Sequence, residues 1–226
     1  MKSMKFFKLR HLTVVCPECE TVFATFELAR TPPVDKNTPI EADLHRILPD
    51  PELRAALLAT CPNCLHTWWL SSFSEHYFLP QVVPDTPPLE PSKKFAHAVQ
   101  TGRKNNVHFL DRAVLALNGY WCSREEGLTG EKFLKLARTE MAAALKDTSW
   151  VGNRGRYNYL MAEILRLLGE FAEADQYYQK VDRNSRLPRE LTEKMRSFAQ
   201  GGNKAPVRLP PHIVEEIFVP KSAVSA

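Results

Sequence analysis

The chain has 226 residues, of which 44% are hydrophobic and 25% are charged, and its formal net charge is +4. This composition is ordinary for a globular protein, and it excludes a wholly disordered or collagen-like chain. No run of 18 apolar residues occurs in the sequence, so we expect no membrane-spanning helix.

The opening residues, MKSMKFFKLRHLTVV, are basic at their start, as in a signal peptide. However, Lys8, Arg10 and His11 interrupt the apolar stretch that export requires. We therefore predict a soluble protein with a cytoplasmic location.

Four of the five cysteines form two matching CPxC motifs, Cys16/Cys19 and Cys61/Cys64, with 41 residues between them. In a reducing cytosol such pairs are metal ligands more often than disulfides. Two thiolates separated by two residues can bind one tetrahedral ion, with Zn–S distances of about 2.3 Å. Four sulfurs fill the coordination sphere of one Zn²⁺ and leave no position for water, so we predict a structural zinc site. A thioredoxin-like redox motif is the alternative for a CPxC pair.

Two features of the motifs differ from the usual zinc-ribbon pattern. The segment between the two CPxC motifs is longer than the common spacing. The residues that directly follow the motifs are Glu20 and Leu65 rather than glycine. A residue other than glycine adopts a positive φ there only at some energetic cost. Four histidines could in principle replace a cysteine ligand, but we interpret them as exposed or supporting side chains: His11, His45, His66 and His76.

Residues 1–79 are predicted to form a small β-rich domain around the metal. Its aromatic residues can be either a platform for single-stranded nucleic acid or the core of a small domain: Phe23, Phe26, Trp68, Trp69 and Phe73. Eight Lys/Arg against nine Asp/Glu in this region favour the core, because phosphate binding normally shows a positive excess. The basic cluster Lys2, Lys5, Lys8 and Arg10 is interpreted as a solvated tail.

Residues 80–91, PQVVPDTPPLEP, contain five prolines and are predicted to be a semi-rigid, extended linker. Residues 92–200 show helical periodicity throughout and predict an α-helical domain. Residues 201–226 are predicted to be an irregular tail, with apolar positions at 213–219 that can dock elsewhere.

A helical repeat signature lies at residues 159–181, which resemble a tetratricopeptide repeat. The matching positions are Ala162 in the first helix, Gly169 at the turn, and Phe171, Ala174 and Tyr178 in the second helix. Small residues let paired helices approach closely, and glycine ends the first helix in a left-handed conformation. A weaker copy of this repeat pattern lies within residues 133–144. An ordinary helix hairpin in a small bundle is the alternative.

The two CPxC motifs, the Asp-Leu-His element at 43–45 and the tetratricopeptide-like half together resemble the bacterial family called domain of unknown function 2225. The resemblance covers about residues 12–182. It implies a zinc-ribbon-like head and a helical body in an intracellular bacterial protein, and it implies no established activity. The family's second motif usually continues with Gly-Tyr-Ala, whereas this chain has Leu-His-Thr at 65–67.

Known catalytic motifs such as GxSxG, HExxH and GxGxxG do not occur in the sequence. The carboxylate pairs Glu125/Glu126 and Glu41/Asp43 are interpreted as solvated faces, and Cys122 is interpreted as a buried structural cysteine rather than a nucleophile.

The predicted fold class is therefore α+β, mainly α. A small zinc-ribbon-like domain precedes a helical, tetratricopeptide-like domain. The predicted function is a non-enzymatic scaffold that binds a protein or peptide partner through the helices. A nucleic-acid-binding zinc ribbon and a CPxC thiol redox sensor are the alternatives.

Overall fold

A computed structural model describes residues 9–29, 34–77, 83–150 and 152–218. The predicted basic residues Lys2, Lys5 and Lys8, the first residues of the predicted linker, and Val219 of the predicted tail lie outside these ranges. The strands are β1 (Leu9–Val15), β2 (Val22–Leu28), β3 (Leu58–Thr60), β4 (Thr67–Trp69) and β5 (Ser74–Glu75). The helices are α1 (Pro51–Ala55), α2 (Pro91–Lys104), α3 (Phe109–Glu125), α4 (Glu131–Lys146), α5 (Arg154–Leu168), α6 (Phe171–Tyr178), α7 (Arg189–Gln200) and α8 (Pro211–Phe218). A mainly helical chain with small antiparallel sheets confirms the predicted fold class.

The chain divides into two compact units whose boundaries differ from the predicted segments. The first unit comprises Met1–Pro32 and Leu48–Phe133, and the second comprises Pro33–Ile47 and Leu134–Ala226. Helices α2 and α3 thus belong with the cysteine motifs, whereas the segment from Pro33 to Ile47 belongs with the C-terminal helices.

In the first unit, β1 is the central strand of an antiparallel sheet with the order β2-β1-β5. It pairs with β2 along its whole length, from Leu9 opposite Leu28 to Val15 opposite Val22. Strands β3 and β4 form a separate two-stranded hairpin. Because side chains alternate across a strand, Val14 and Phe23 share the inner face of the first sheet, and both are buried.

Helix α2 packs against both α3 and the β4 hairpin, which explains why the first unit extends beyond residue 79. The ring of Trp68 in β4 lies against Gly102 of α2 so closely that a Cβ there would be 3.0 Å from the ring. A large apolar side chain on the short hairpin therefore finds its cover in a helix that sequence reasoning assigned to a different domain.

The described part of the proline-rich segment is hydrogen-bonded to β2 rather than being a free spacer. The Ala24 N–H donates to the Pro84 carbonyl and the Thr86 N–H donates to the Ala24 carbonyl, both at 2.8 Å. The Thr86 hydroxyl also donates to the Thr60 carbonyl at 2.8 Å. Proline cannot donate a backbone hydrogen bond, but the Pro84 carbonyl and the Thr86 N–H are enough to cover this part of the edge of β2.

In the second unit, α5 and α6 form the helix hairpin that the repeat signature predicts. Gly169 ends α5 with φ +85°, and its N–H and that of Glu170 donate to the carbonyls of Arg166 and Leu165, respectively. Ala162 and Ala174 are fully buried where α5 and α6 pack together, and Tyr178 is buried beside them. Helix α6 has only eight residues, and α7 packs against it.

The segment predicted to be an irregular tail contains α8, in which Ile213 and Val214 are buried. Just before it, the Ala42 N–H donates to the Val207 carbonyl at 2.7 Å, and the Leu209 N–H donates to the Ile40 carbonyl at 2.8 Å. Residues 207–209 and 40–42 thus run alongside each other and join two distant parts of the sequence within the second unit.

Candidate metal centre

The four cysteines of the CPxC motifs converge in the first unit. Their Sγ atoms all lie within 4.8 Å of one another. Cys16 and Cys64 are 3.6 Å apart at Sγ, and Cys19 and Cys61 are also 3.6 Å apart. A disulfide requires about 2.05 Å, whereas two ligands of a tetrahedral zinc ion at about 2.3 Å are ~3.8 Å apart. The distances therefore match the edges of a tetrahedral site, and the cluster can hold a metal ion.

Both cysteine motifs have the same backbone conformation. In the first, the Cys16 N–H donates to the Thr21 carbonyl and the Glu20 N–H donates to the Cys16 carbonyl, both at 2.9 Å. The second motif repeats these bonds at the corresponding positions, at 3.0 and 3.1 Å. Glu20 has φ +59° and Leu65 has φ +58°, so the positions where glycine is common do adopt the left-handed conformation here.

The surroundings of the sulfurs affect their protonation in opposite directions. Burial raises the pKa of the Cys16 thiol. Burial also raises the pKa of Cys64 to about 12, because its sulfur lies among the others although the residue as a whole is exposed. Hydrogen bonds with the hydroxyl and then the backbone N–H of Thr21 lower the pKa of Cys19 to about 6. A bound cation would favour the thiolate at all these positions.

Two polar side chains that sequence reasoning did not single out connect the motifs. The Thr21 hydroxyl lies 3.2 Å from the Cys19 sulfur, and the Asn63 amide donates to that hydroxyl at 3.2 Å. Asn63 also lies 3.7 Å from the Cys19 sulfur. Both residues lie within two positions of a cysteine, but only the three-dimensional pairing of the motifs identifies them as supports of the cluster.

The aromatic residues divide between the core and the surface. Phe23 and Phe73 are buried in the apolar cluster behind the sulfurs, with their ring centroids 5.8 Å apart in an edge-to-face arrangement. Trp68 packs against the same cluster. Phe26 is 37% exposed and lies against His11, at a centroid distance of 4.2 Å. The core interpretation therefore holds for three of the five residues, and Phe26 is a surface residue.

The candidate histidines have other environments. His66 packs against Phe73, and its Nδ1 lies 3.8 Å from Glu18, a residue that also forms an ion pair with Lys104 at 2.9 Å. Burial lowers the pKa of His66. Among the described residues, the converging ligands at this centre are the four cysteines, while His45 belongs to a different group.

Cys122 is fully buried in α3, and its thiol donates to the Pro51 carbonyl at 3.7 Å. Burial raises its pKa far above the usual range, which disfavours the nucleophilic thiolate.

The two carboxylate pairs, in contrast, are not the solvated faces that the sequence predicted. Glu125 receives hydrogen bonds from Arg54 at 2.8 and 3.1 Å and from the Leu48 N–H at 3.0 Å, and its side chain is 4% exposed. The Glu126 carboxylate accepts from the Ser92 N–H at 2.9 Å. Glu41 and Asp43 are buried as well. Sequence reasoning assigned both pairs to solvent because the partners of the first pair are distant in the sequence and the second pair lies in a polar segment.

None of the helices in the described ranges is both long and apolar enough to cross a bilayer. Comparison with models of protein families, with curated proteins and with solved structures finds no match to this chain. Membership of the domain of unknown function 2225 family therefore stays a prediction.

Proposed function

We propose that Cys16, Cys19, Cys61 and Cys64 bind one structural Zn²⁺ and that the protein is a non-enzymatic scaffold with a protein or peptide partner. The observation that carries the zinc proposal is the pair of 3.6 Å sulfur distances, each of which joins one motif to the other. Soft thiolate ligands in a tetrahedral arrangement select zinc over the hard cations.

The same distances weigh against the redox alternative. A CPxC redox motif forms its disulfide within one motif, whereas the 3.6 Å Sγ–Sγ distances here link Cys16 to Cys64 and Cys19 to Cys61. Four sulfurs on one ion also leave no coordination position for a substrate or an activated water, which supports a structural role.

For the partner, we propose the open groove of about 480 Å³ that α6, α7 and the turn between them form within the second unit. The groove has both apolar and charged walls, with Val181 and Leu187 beside Arg183, Arg189 and Arg196. Such mixed grooves on paired helices suit an extended peptide. A cytoplasmic location and a tetratricopeptide-like role are parts of the same proposal.

Metal analysis of the purified chain tests the zinc centre. We expect one zinc per chain to be bound by the cysteines, and we expect the Cys61→Ser/Cys64→Ser variant to lose that zinc. Replacement by Co²⁺ should give thiolate charge-transfer and tetrahedral ligand-field absorption. A strong chelator should change the near-UV circular dichroism of the first unit's aromatic residues, because metal binding there contributes folding energy. A spectrum that stays the same after complete zinc removal would contradict the structural role.

Site-specific crosslinking tests the partner. A photoreactive residue at Thr192, which lines the groove, should give a discrete protein adduct in the native cell, and the same residue at exposed Glu216 should not. The purified partner should then bind the chain one to one and lose affinity at least 10-fold with Thr192→Arg. Salt-sensitive RNA or DNA binding, with no such adduct, would instead support the nucleic-acid alternative.

A further inference from the structure

A second group of metal-ligating side chains lies in the second unit, on the segment that sequence reasoning assigned to solvent. The side chains of Glu41, Asp43 and His45 each offer one ligand atom, and these three atoms lie within 4.8 Å of one another. All three residues are more than nine-tenths buried, at 7%, 3% and 2% exposure. Two carboxylates and an imidazole thus converge inside the protein rather than on its surface.

The backbone holds these side chains in place through contacts with distant segments. The Glu41 N–H donates to the His45 carbonyl at 2.8 Å, which closes a tight loop around Leu44. The Tyr159 hydroxyl in α5 donates to the Ala42 carbonyl at 2.8 Å. Ala42 is also hydrogen-bonded to Val207, so the loop is fixed from two sides and its donor groups are preorganised.

Burial of the two carboxylates adds a reason for a cation to bind here. Carboxylates are costly to bury because they lose their hydration, and a divalent cation offsets that cost by direct coordination. The protein itself supplies part of this compensation, since the His45 N–H donates to the Asp43 carboxylate at 3.2 Å.

We propose that Glu41, Asp43 and His45 bind a second divalent cation, of the transition-metal class of Mn²⁺, Fe²⁺ or Zn²⁺. A mixed set of one imidazole nitrogen and two carboxylate oxygens suits these ions better than Ca²⁺ or Mg²⁺, which prefer oxygen alone. The set also differs in kind from the all-sulfur centre of the first unit.

The geometry of one ligand pair agrees with this assignment. His45 Nδ1 and Glu41 Oε2 are 3.0 Å apart. Two donors at about 2.1 Å from one ion, on neighbouring octahedral vertices, are ~3.0 Å apart. The cation takes the place of the proton shared by these two atoms, and Asp43 supplies a third donor.

A Mn²⁺ titration of the full-length protein carrying one equivalent of Zn²⁺, which fills the cysteine centre alone, tests the proposal. It is read by the loss of the free-ion electron paramagnetic resonance signal. We expect one Mn²⁺ site per chain. Pulsed measurements on bound Mn²⁺ should detect coupling to one imidazole nitrogen. The Cys61→Ser/Cys64→Ser variant should retain this site, which separates it from the cysteine centre.

Asp43→Asn should weaken Mn²⁺ binding at least 10-fold, and the matched control Asp35→Asn, at an exposed position of the same segment, should leave it unchanged. Circular dichroism verifies that the variants are folded. A wild-type protein that takes up no Mn²⁺ would overturn the proposal, as would bound Mn²⁺ without nitrogen coupling. A folded Asp43→Asn variant with wild-type affinity would overturn it as well. If Asp43→Asn does not fold, the wild-type titration and its nitrogen coupling decide the question alone.

Discussion

The ion pair between Arg166 and Glu163 is the interaction in the second unit whose removal should cost most. Both residues are on α5, and both side chains are at most 1% exposed. The guanidinium donates to both carboxylate oxygens of Glu163, at 3.1 and 2.8 Å, and to the carbonyls of Asn203 and Ala205, at 2.9 and 2.8 Å. The Tyr178 hydroxyl donates to the same carboxylate. We predict that Arg166→Met is strongly destabilising.

The magnitude follows from the groups that the substitution leaves without partners. Loss of one member of a buried ion pair costs about 3–5 kcal/mol, because the other charge stays buried. Two carbonyls that lose their donors add about 1 kcal/mol each, which the new methionine contacts partly offset. We therefore expect a total near 5 kcal/mol. In the double variant with Glu163→Gln neither charge of the pair remains, and the amide oxygen still accepts from Tyr178, so the cost should fall to about 2 kcal/mol.

Hydrogen exchange of the α5 amides, measured by mass spectrometry, reads the stability of this unit by itself. The control is Arg189→Met, which removes an exposed ion pair with Glu193 at 2.6 Å and should cost less than about 1 kcal/mol. A loss below about 1 kcal/mol for Arg166→Met would refute the reasoning. A double variant as unstable as the single one would also refute it, since the unpaired charge would then not be the cause.

Three further predictions concern both units. Thr21→Val removes the hydroxyl beside the Cys19 sulfur, so the pKa of that thiol should rise and the zinc affinity at neutral pH should fall 10- to 100-fold, as competition with a chromophoric chelator measures. Leu65→Gly relieves a positive φ at an exposed site, so the loaded protein should gain about 1 kcal/mol and melt about 2–4 °C higher in calorimetry. Arg196 lowers the pKa of Asp175 from 3.8 to about 2. The pair should therefore stabilise the protein above pH 4, by less than about 1 kcal/mol because it is partly exposed, and this advantage over Arg196→Met should vanish as the pH falls towards 2 in denaturant titrations.

The parts of the fold that were predictable from the sequence are those whose signal is local. Each CPxC motif encodes its own turn, and the left-handed positions at Glu20 and Leu65 follow directly from it. Gly169 likewise marks the end of α5 because its left-handed conformation is intrinsic to a helix C-terminus. Convergence of the two motifs was predictable only because they are nearly identical, and a metal with four ligands needs both.

The parts that sequence reasoning missed depend on partners from distant parts of the sequence. In the sequence, Glu41 and Asp43 look like an ordinary solvated pair. In the fold, residues 207–209 and Tyr159 are hydrogen-bonded to the loop that carries them. The proline-rich segment has the composition of a spacer, but in the fold Thr86 is hydrogen-bonded to the edge of β2. In each case the local composition is polar or irregular, and burial comes from a distant segment that no periodicity reveals.

The revised unit boundaries also bear on the choice between a nucleic-acid and a protein partner. The segments of the first unit carry thirteen Lys/Arg against twelve Asp/Glu, so adding α2 and α3 to the cysteine motifs does not create the positive excess that phosphate binding requires. Two of the aromatic residues considered for base stacking, Phe23 and Phe73, are enclosed in the apolar cluster behind the sulfurs. Neither the formal charge of this unit nor these two rings therefore supplies what phosphate binding and base stacking require.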